Sequence, residues 1–112
     1  DNKEKLEAIL VNGTFKVNSF INAGVESANN YVSYTIDFAN DWKVKSIYTL
    51  STFATGTYSV IADTNVYVEL GFTGSTNFNL FNNKWKVSSF TTSTITLQST
   101  TNSTLTLILK QI

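Results

Sequence analysis

Two six-residue stretches of this chain nearly repeat each other, and both alternate apolar with polar residues. The first is Phe15-Lys16-Val17-Asn18-Ser19-Phe20 and the second is Trp85-Lys86-Val87-Ser88-Ser89-Phe90. A period of two, with an aromatic residue at the first inward position, describes a strand that has one buried face. Two such strands in corresponding places predict a sheet that closes on itself.

The same alternation recurs along the chain and predicts eight consecutive strands behind a short helix at residues 3–10. The second strand is expected at 31–38, with Val32 and Tyr34 inward and Tyr31 outward. The third is expected at 42–50, with Trp42 and Tyr48 inward. The remaining strands are predicted to start at Gly56, Val66, Lys84, Thr94 and Thr104.

The connections are mostly short, which favours an up-and-down meander whose closure removes exposed edges. A bulge is expected at Phe20 and Ile21, where the alternation breaks. Residues 22–30 form the longest predicted loop, and residues 73–83 a loop with one helical turn that caps the core. The predicted fold class is therefore all-β: an eight-stranded antiparallel up-and-down barrel with a short N-terminal helix.

Composition excludes most enzyme classes. The chain has 112 residues, enough for one domain at 1–112, and it contains no His, Cys or Met. Imidazole acid–base chemistry, thiol catalysis and nearly all transition-metal ligation are thereby removed. The two acids within predicted strands, Asp37 and Glu69, alternate with the apolar residues of their strands and are therefore expected to face solvent. No Lys is predicted to point inward, where it could act as the base for a serine nucleophile. We expect no catalysis and no cofactor.

Charge and polarity bear on partners and location. Eight acidic residues balance eight Lys, and Arg is absent, so no net field attracts nucleic acid or phosphate. No apolar run is long enough for a transmembrane helix. The abundance of Thr, Ser and Asn is common in secreted and cell-envelope β domains, which is where we expect this chain, with its export signal removed. Its oligomeric state is left open.

Turn acids raise the question of calcium. Asp37, Asn40 and Asp41, and separately Asp63 with Asn65, offer oxygen ligands. Asp and Asn in turns usually bond their own backbone, so no metal site is predicted. The outward lysines serve solubility in the simplest interpretation; these are Lys16, Lys43, Lys45, Lys84 and Lys86.

Several motifs together resemble a known family. A short polar helix is followed by Gly13-Thr14-Phe15 in the place of a Gly-x-Trp motif, and later come the stretches 84–90, Thr94-Ile95-Thr96-Leu97 and Thr104-Leu105-Thr106-Leu107. In these the chain resembles the small lipocalin-like domains of bacterial secreted and envelope proteins. The resemblance implies a barrel with a central cavity, closed at one end by the N-terminal helix. A barrel of eight strands either fills with its own side chains or holds one small ligand.

Candidate functional residues follow from this picture. Phe15 and Trp85 are predicted to plug the closed end of the barrel. Six inward aromatics toward the other end, where residues 22–30 would form the mouth, are candidates to bind a small hydrophobic or amphipathic ligand: Tyr34, Trp42, Tyr48, Tyr58, Phe72 and Phe90. The hypothesis is a non-catalytic binding barrel. The alternative is a structural or protein-interaction module of the cell surface with a filled core.

Overall fold

The polypeptide forms one antiparallel sheet of nine strands in a computed structural model that describes residues 1–112. Eight strands close into a ring, because the first pairs with the third on one side and with the last on the other. The strands are β1 (Thr14–Asn22), β2 (Val25–Glu26), β3 (Tyr34–Phe38), β4 (Lys43–Tyr48), β5 (Ser51–Ala62), β6 (Val66–Thr73), β7 (Asn83–Phe90), β8 (Thr94–Ser99) and β9 (Thr106–Gln111). Strand β2 pairs only with the end of β1. The predicted all-β, eight-stranded up-and-down barrel with a short N-terminal helix is confirmed.

The connections gather at two ends of the barrel because successive strands alternate in direction. Helix α1 (Asn2–Val11) crosses the end that carries the turns at 39–42, 63–65 and 91–93, which we call the α1 end. Asn2 shares a cleft with the 63–65 turn, and Val11 shares another with Asp41. The opposite end, the α2 end, carries helix α2 (Thr76–Asn79) and a single 3₁₀ turn (Ala28–Tyr31).

Helix α1 has a capped start and one buried face. The side chain of Asp1 accepts hydrogen bonds from the backbone N–H groups of Lys3 and Glu4, which satisfies donors that the first helical turn leaves unpaired. Leu6 and Leu10 lie one turn apart and are completely buried against the barrel. The helix is one residue longer at each end than the predicted 3–10.

The near-repeat encodes a bulged strand. In β1 the pairing with β9 skips Asn18, and in β7 the pairing with β8 skips Ser88, which is the same position of the motif. Each bulge shifts the alternation by one residue, so that the motif's last residue, Phe20 in β1, faces the core again. The bulge predicted at Phe20 and Ile21 therefore lies two residues earlier.

The second and third strands are shorter than predicted. Tyr31 belongs to the 3₁₀ turn and is 1% exposed, whereas Val32 is 78% exposed, which reverses their predicted orientations. The reason is that Tyr31 packs onto aromatic rings of the core instead of continuing the strand. Trp42 and Leu50 lie in the turns that flank β4, at φ angles of 65° and 70°, and neither continues the inward row of Val44.

Strand β5 starts at Ser51, so the prediction that a strand begins at Gly56 is wrong. Gly56 sits within β5, directly opposite Phe72 of β6. A Cβ atom there would collide with the carbonyl oxygen of Gly71 and lie 2.7 Å from the Cα of Phe72. The glycine permits a close approach of two backbones within the sheet and does not mark a strand start.

The barrel interior is packed with side chains. A cluster of 23 buried apolar residues runs from α1 to the α2 end. The buried polar residues are Ser46, Ser75 and Ser99, and the Oγ of each accepts a hydrogen bond from a backbone N–H, for example from Ala54 to Ser46 at 3.0 Å. These hydroxyls are satisfied within the protein. Neither helix has the length and apolar character needed to cross a lipid bilayer.

Candidate binding surface

A cluster of aromatic rings closes the α2 end. Tyr31, on the 3₁₀ turn, lies 4.7 Å from the ring of Phe81 and 5.3 Å from that of Phe78, measured between centroids. Phe20 of β1 packs edge-on against Phe81 at 4.8 Å. These four rings are at most 1% exposed and form a plug over the end of the barrel. The loop at 22–30 was predicted to leave a mouth here; it leads instead into the segment that carries Tyr31.

Hydrogen bonds hold the plug in place. The Tyr31 hydroxyl donates to the carbonyl oxygen of Asn77 in α2 at 2.7 Å, and Nε1 of Trp85 donates to that of Phe81 at 2.9 Å. The side-chain amide of Asn82 exchanges two hydrogen bonds with the backbone of Phe72. Burial raises the pKa of Tyr31 to about 12, so its hydroxyl remains a donor at neutral pH.

The two residues predicted to plug the barrel are both fully buried, but they lie toward opposite ends. Phe15 is the second residue of β1 and starts at the α1 end, where its ring packs 5.8 Å from that of Phe38. Trp85 is the third residue of β7, which starts at the α2 end. The expectation that they close the same end is wrong because β1 and β7 begin at opposite ends.

The six predicted ligand-binding aromatics do not converge on one cavity. Tyr58 and Phe72 are buried in the core, whereas Tyr34 and Phe90 are partly exposed. Trp42 is 44% and Tyr48 47% exposed, so the prediction that both point inward is wrong. Trp42 packs on Tyr58 at the α1 end, with 5.3 Å between the ring centroids. Tyr48 packs on Tyr34 at the α2 end, with 5.2 Å between the ring centroids.

Seven clefts indent the barrel, and the five main ones have volumes of about 180 to 650 Å³ and are open to solvent. The turn acids are spread among them and do not gather into a group of three that could hold a metal ion. Oδ1 of Asp41 accepts from the backbone N–H of Lys43 at 3.3 Å, the local bond that turn acids usually form.

Exposed apolar side chains concentrate at the α2 end. Of the ten large apolar side chains that are exposed, seven lie on segments at this end: Ile21, Val25, Val32, Tyr48, Leu50, Phe53 and Leu80. We define the rim as the members of this set that follow β2, together with the partly exposed Tyr34: Val32, Tyr34, Tyr48, Leu50, Phe53 and Leu80. Such a concentration is typical of a surface that binds a partner.

A strained turn presents the most exposed residue of the rim. Thr49 and Leu50 connect Tyr48 to Ser51, which pair across the β4–β5 hairpin. Their φ angles are 49° and 70°, the conformation of a two-residue turn that favours Asn-Gly. A residue held in this region costs on the order of 1–3 kcal/mol. Leu50 is nonetheless 99% exposed, so its side chain makes no contact within the chain that would offset the strain.

Phe53 reaches the rim through a second irregularity. The register between β4 and β5 passes from Ser46–Ala54 to Ile47–Thr52, so Phe53 is the extra residue of a bulge. Its ring lies 4.9 Å from Tyr34 and is 49% exposed. The aromatic rings of Tyr48, Tyr34 and Phe53 thus form a continuous row beside Leu50. Leu50 was predicted as the last residue of the strand at 42–50 and Phe53 lies before the predicted strand start at Gly56, so both were missed as site residues.

The rim carries no charge. Residues 27–36, 46–62 and 70–83, which supply all of its members, contain no Asp, Glu, Lys or Arg. The charged residues closest in sequence are Glu26, Asp37, Lys45 and Lys84. A partner at this surface is therefore selected by shape and apolar contact, since no charge on the rim attracts it.

Comparison with known proteins supports the fold. The structure of a DUF4847 family protein from Bacteroides vulgatus matches this barrel with a TM-score of 0.66 over 94% of this chain and 96% of that one, at 16% sequence identity. At that identity the likeness concerns the fold alone. No protein-family profile matches the chain. No curated protein matches it by sequence.

Proposed function

We propose that this protein is a non-catalytic interaction module whose filled barrel presents the rim to a protein partner. The observation that carries the proposal is the strained turn that holds Leu50 almost completely in solvent beside the exposed ring of Phe53. Strain of this kind is retained where the conformation serves a purpose. Burying a leucine of this exposure in a partner contributes about 1.5–3 kcal/mol.

The chemistry of the rim favours a protein over other partners. A protruding leucine fits an apolar pocket, and tyrosine and phenylalanine beside it supply the large contact area of binding hot spots. The absence of Lys on the rim gives no attraction to anionic lipid. We propose a protein with an uncharged, apolar pocket as the partner.

The second candidate function is binding of a small apolar ligand inside the barrel. It is the function that the resemblance to lipocalin-like domains implies. The eight-stranded order and the helix across one end are what that resemblance implies. The plug at the α2 end and the packed interior favour the rim over the interior as the binding surface. We also propose that the protein acts outside the cell or in the cell envelope, in keeping with its Thr-, Ser- and Asn-rich composition.

A photo-crosslinking amino acid at Leu50, in cells that naturally produce the protein, tests the proposal. We expect one dominant protein adduct that disappears when excess purified wild-type domain competes. A competitor carrying Thr49→Asn and Leu50→Gly should not compete, although it should be more stable to unfolding by about 1–3 kcal/mol because the turn is no longer strained. Protein stability is read by urea denaturation.

A matched crosslinker at Lys110, an exposed position of β9 away from the rim, serves as the control. The proposal fails if the Leu50 crosslinker yields only lipid adducts. It also fails if both competitors suppress the protein adduct equally, or if the Lys110 crosslinker gives the same adduct.

A further inference from the structure

A polar cleft at the α1 end is separate from the rim. Its volume is about 650 Å³, the largest of the five, and it lies between the end of α1 and strands β3, β4 and β5. Asn12 and Thr14 contribute amide and hydroxyl groups, and Val11, which is 42% exposed, contributes an apolar wall. The volume falls within the range of small-molecule sites.

Register brings opposite charges to this cleft. Asp37 of β3 is directly opposite Thr14 on one side and Lys45 of β4 on the other, and all three line the cleft. Asp41 and Lys43, from the turn before β4 and its first residue, line it as well. Two acidic and two basic residues therefore line one space.

These charges are not paired with each other. The structure contains a single ion pair, Lys3 with Glu7 on α1, so neither Lys43 nor Lys45 neutralises an acid of the cleft. Oδ1 of Asp37 is enclosed by protein and has no hydrogen-bond donor. The other oxygen, Oδ2, is not enclosed and accepts no hydrogen bond from the protein, so it is the atom that a donor in the cleft can reach.

We propose that this cleft binds a small zwitterion, a molecule with an ammonium and a carboxylate a few atoms apart, as in an α-amino acid. The ammonium group binds the carboxylate of Asp37, and the carboxylate group binds the ammonium of Lys45 on the neighbouring strand. A purely cationic or anionic molecule meets a like charge in the same cleft, and a divalent cation meets two lysines. This binding is independent of the rim, which lies at the other end of the barrel.

Titration of the ¹⁵N-labelled protein with alanine, followed by NMR, tests the proposal. We expect saturating shifts of the amides around Thr14, Asp37 and Lys45 at millimolar concentration. Asp37→Asn and Lys45→Met should each weaken binding by roughly tenfold or more, because each removes a charge-assisted hydrogen bond. Lys110→Met, which removes an exposed charge outside the cleft, should leave the affinity unchanged.

Separate titrations with ethylammonium, acetate, glycerol and Ca²⁺ distinguish the ligand class. Saturation by any one of these at the same amides overturns the assignment of a zwitterion, as does the absence of saturable shifts with alanine up to about 20 mM. Unchanged affinity in Lys45→Met also overturns it. Because Lys45 is exposed, that variant folds and keeps the test decisive if Asp37→Asn is unstable.

Discussion

At the scale of single residues, Glu26 shows how an exposed side chain positions buried ones. Its carboxylate accepts hydrogen bonds from the Ser19 hydroxyl, from the backbone N–H of Phe20 at 2.8 Å and from that of Ala28 at 3.1 Å. It thereby ties the end of β1 to the start of the 3₁₀ turn that carries Tyr31. These hydrogen bonds, chiefly the one from Ser19, lower the pKa of Glu26 below 4.5 despite its exposure.

Glu26→Gln is therefore expected to destabilise the protein near neutral pH. A carboxyl group whose pKa is lower in the folded than in the unfolded protein stabilises the folded state above the unfolded pKa, and this contribution is lost as pH falls through the folded pKa. The difference in unfolding free energy between wild type and Glu26→Gln should thus shrink as the pH falls below the unfolded pKa of Glu26 and vanish once it is below the lower folded pKa. Urea denaturation at a series of pH values measures it.

The matched control for this prediction is Glu69→Gln. Glu69 is exposed on β6 and accepts only from the Ser59 hydroxyl, at 3.5 Å. We expect a small effect of this substitution. A constant difference between wild type and Glu26→Gln across the acid range would show that the carboxylate charge of Glu26 has no part in holding the connection.

At the scale of elements, sequence periodicity predicted strands well and their irregularities poorly. The alternation from Val66 to Phe72 and the row Leu105, Leu107 and Leu109 have the predicted buried faces. Tyr31 does not, because long-range packing on Phe81 outweighs a local alternation that would continue the strand. Bulges shift the alternation by one residue, so a pattern of apolar positions alone does not locate the extra residue.

The near-repeat makes the role of a bulge testable. Deleting Asn18 removes the extra residue of β1 and lets Val17, Ser19 and Phe20 pair in regular alternation with β9, so Phe20 keeps its place in the core. Phe20 contacts Tyr31 and Phe81, and turning it to solvent would cost about 3–5 kcal/mol of unfolding free energy, as truncating a buried phenylalanine does; we expect the deletion to cost clearly less than this. Chemical denaturation measures the loss.

Asn18→Ala keeps the chain length and the bulge, and serves as the control for the deletion. Asn18 is exposed, so its side chain should contribute within about 0.5 kcal/mol. A loss of about 3–5 kcal/mol in the deletion, with Asn18→Ala near wild type, would mean that the residues after the bulge do not regain the regular alternation.

At the scale of the whole molecule, closure was predictable and the contents of the barrel were not. An eight-stranded ring follows from the number of strands and the short connections, and its width suits either a packed interior or a small ligand. Whether the interior is packed or holds a ligand depends on where the side chains of the connecting segments lie.

Phe78 and Phe81 belong to a segment predicted as a loop over the core. Their rings fill the α2 end because they pack there against Tyr31 and Phe20. The rim was beyond sequence reasoning for the same reason: its members come from separate turns that closure brings together.

Phe78 is the residue on which a filled barrel depends most directly. It is fully buried, and its ring lies within about 5.2 to 6.1 Å of those of five other aromatic residues, which are Tyr31, Tyr34, Phe53, Phe72 and Phe81. Phe78→Ala should lower the unfolding free energy by about 3–5 kcal/mol and leave an apolar cavity under the plug. A lipophilic fluorescent probe should then bind Phe78→Ala saturably and wild type not at all. Phe78→Leu, a milder truncation, replaces it if the alanine variant unfolds.

The rim could also attract such a probe, so each titration is repeated with Thr49→Asn and Leu50→Gly added, which removes the exposed leucine. Binding that persists in that background is interior binding. Trp42→Ala, at the α1 end and outside the core, should behave as wild type because the Trp42 ring is 44% exposed and packs on the ring of Tyr58 at the surface of the barrel. Saturable one-to-one binding of the probe to wild type that survives loss of Leu50 would instead place a ligand inside the barrel, and weakening of that binding by Trp42→Ala would locate its entrance at the α1 end.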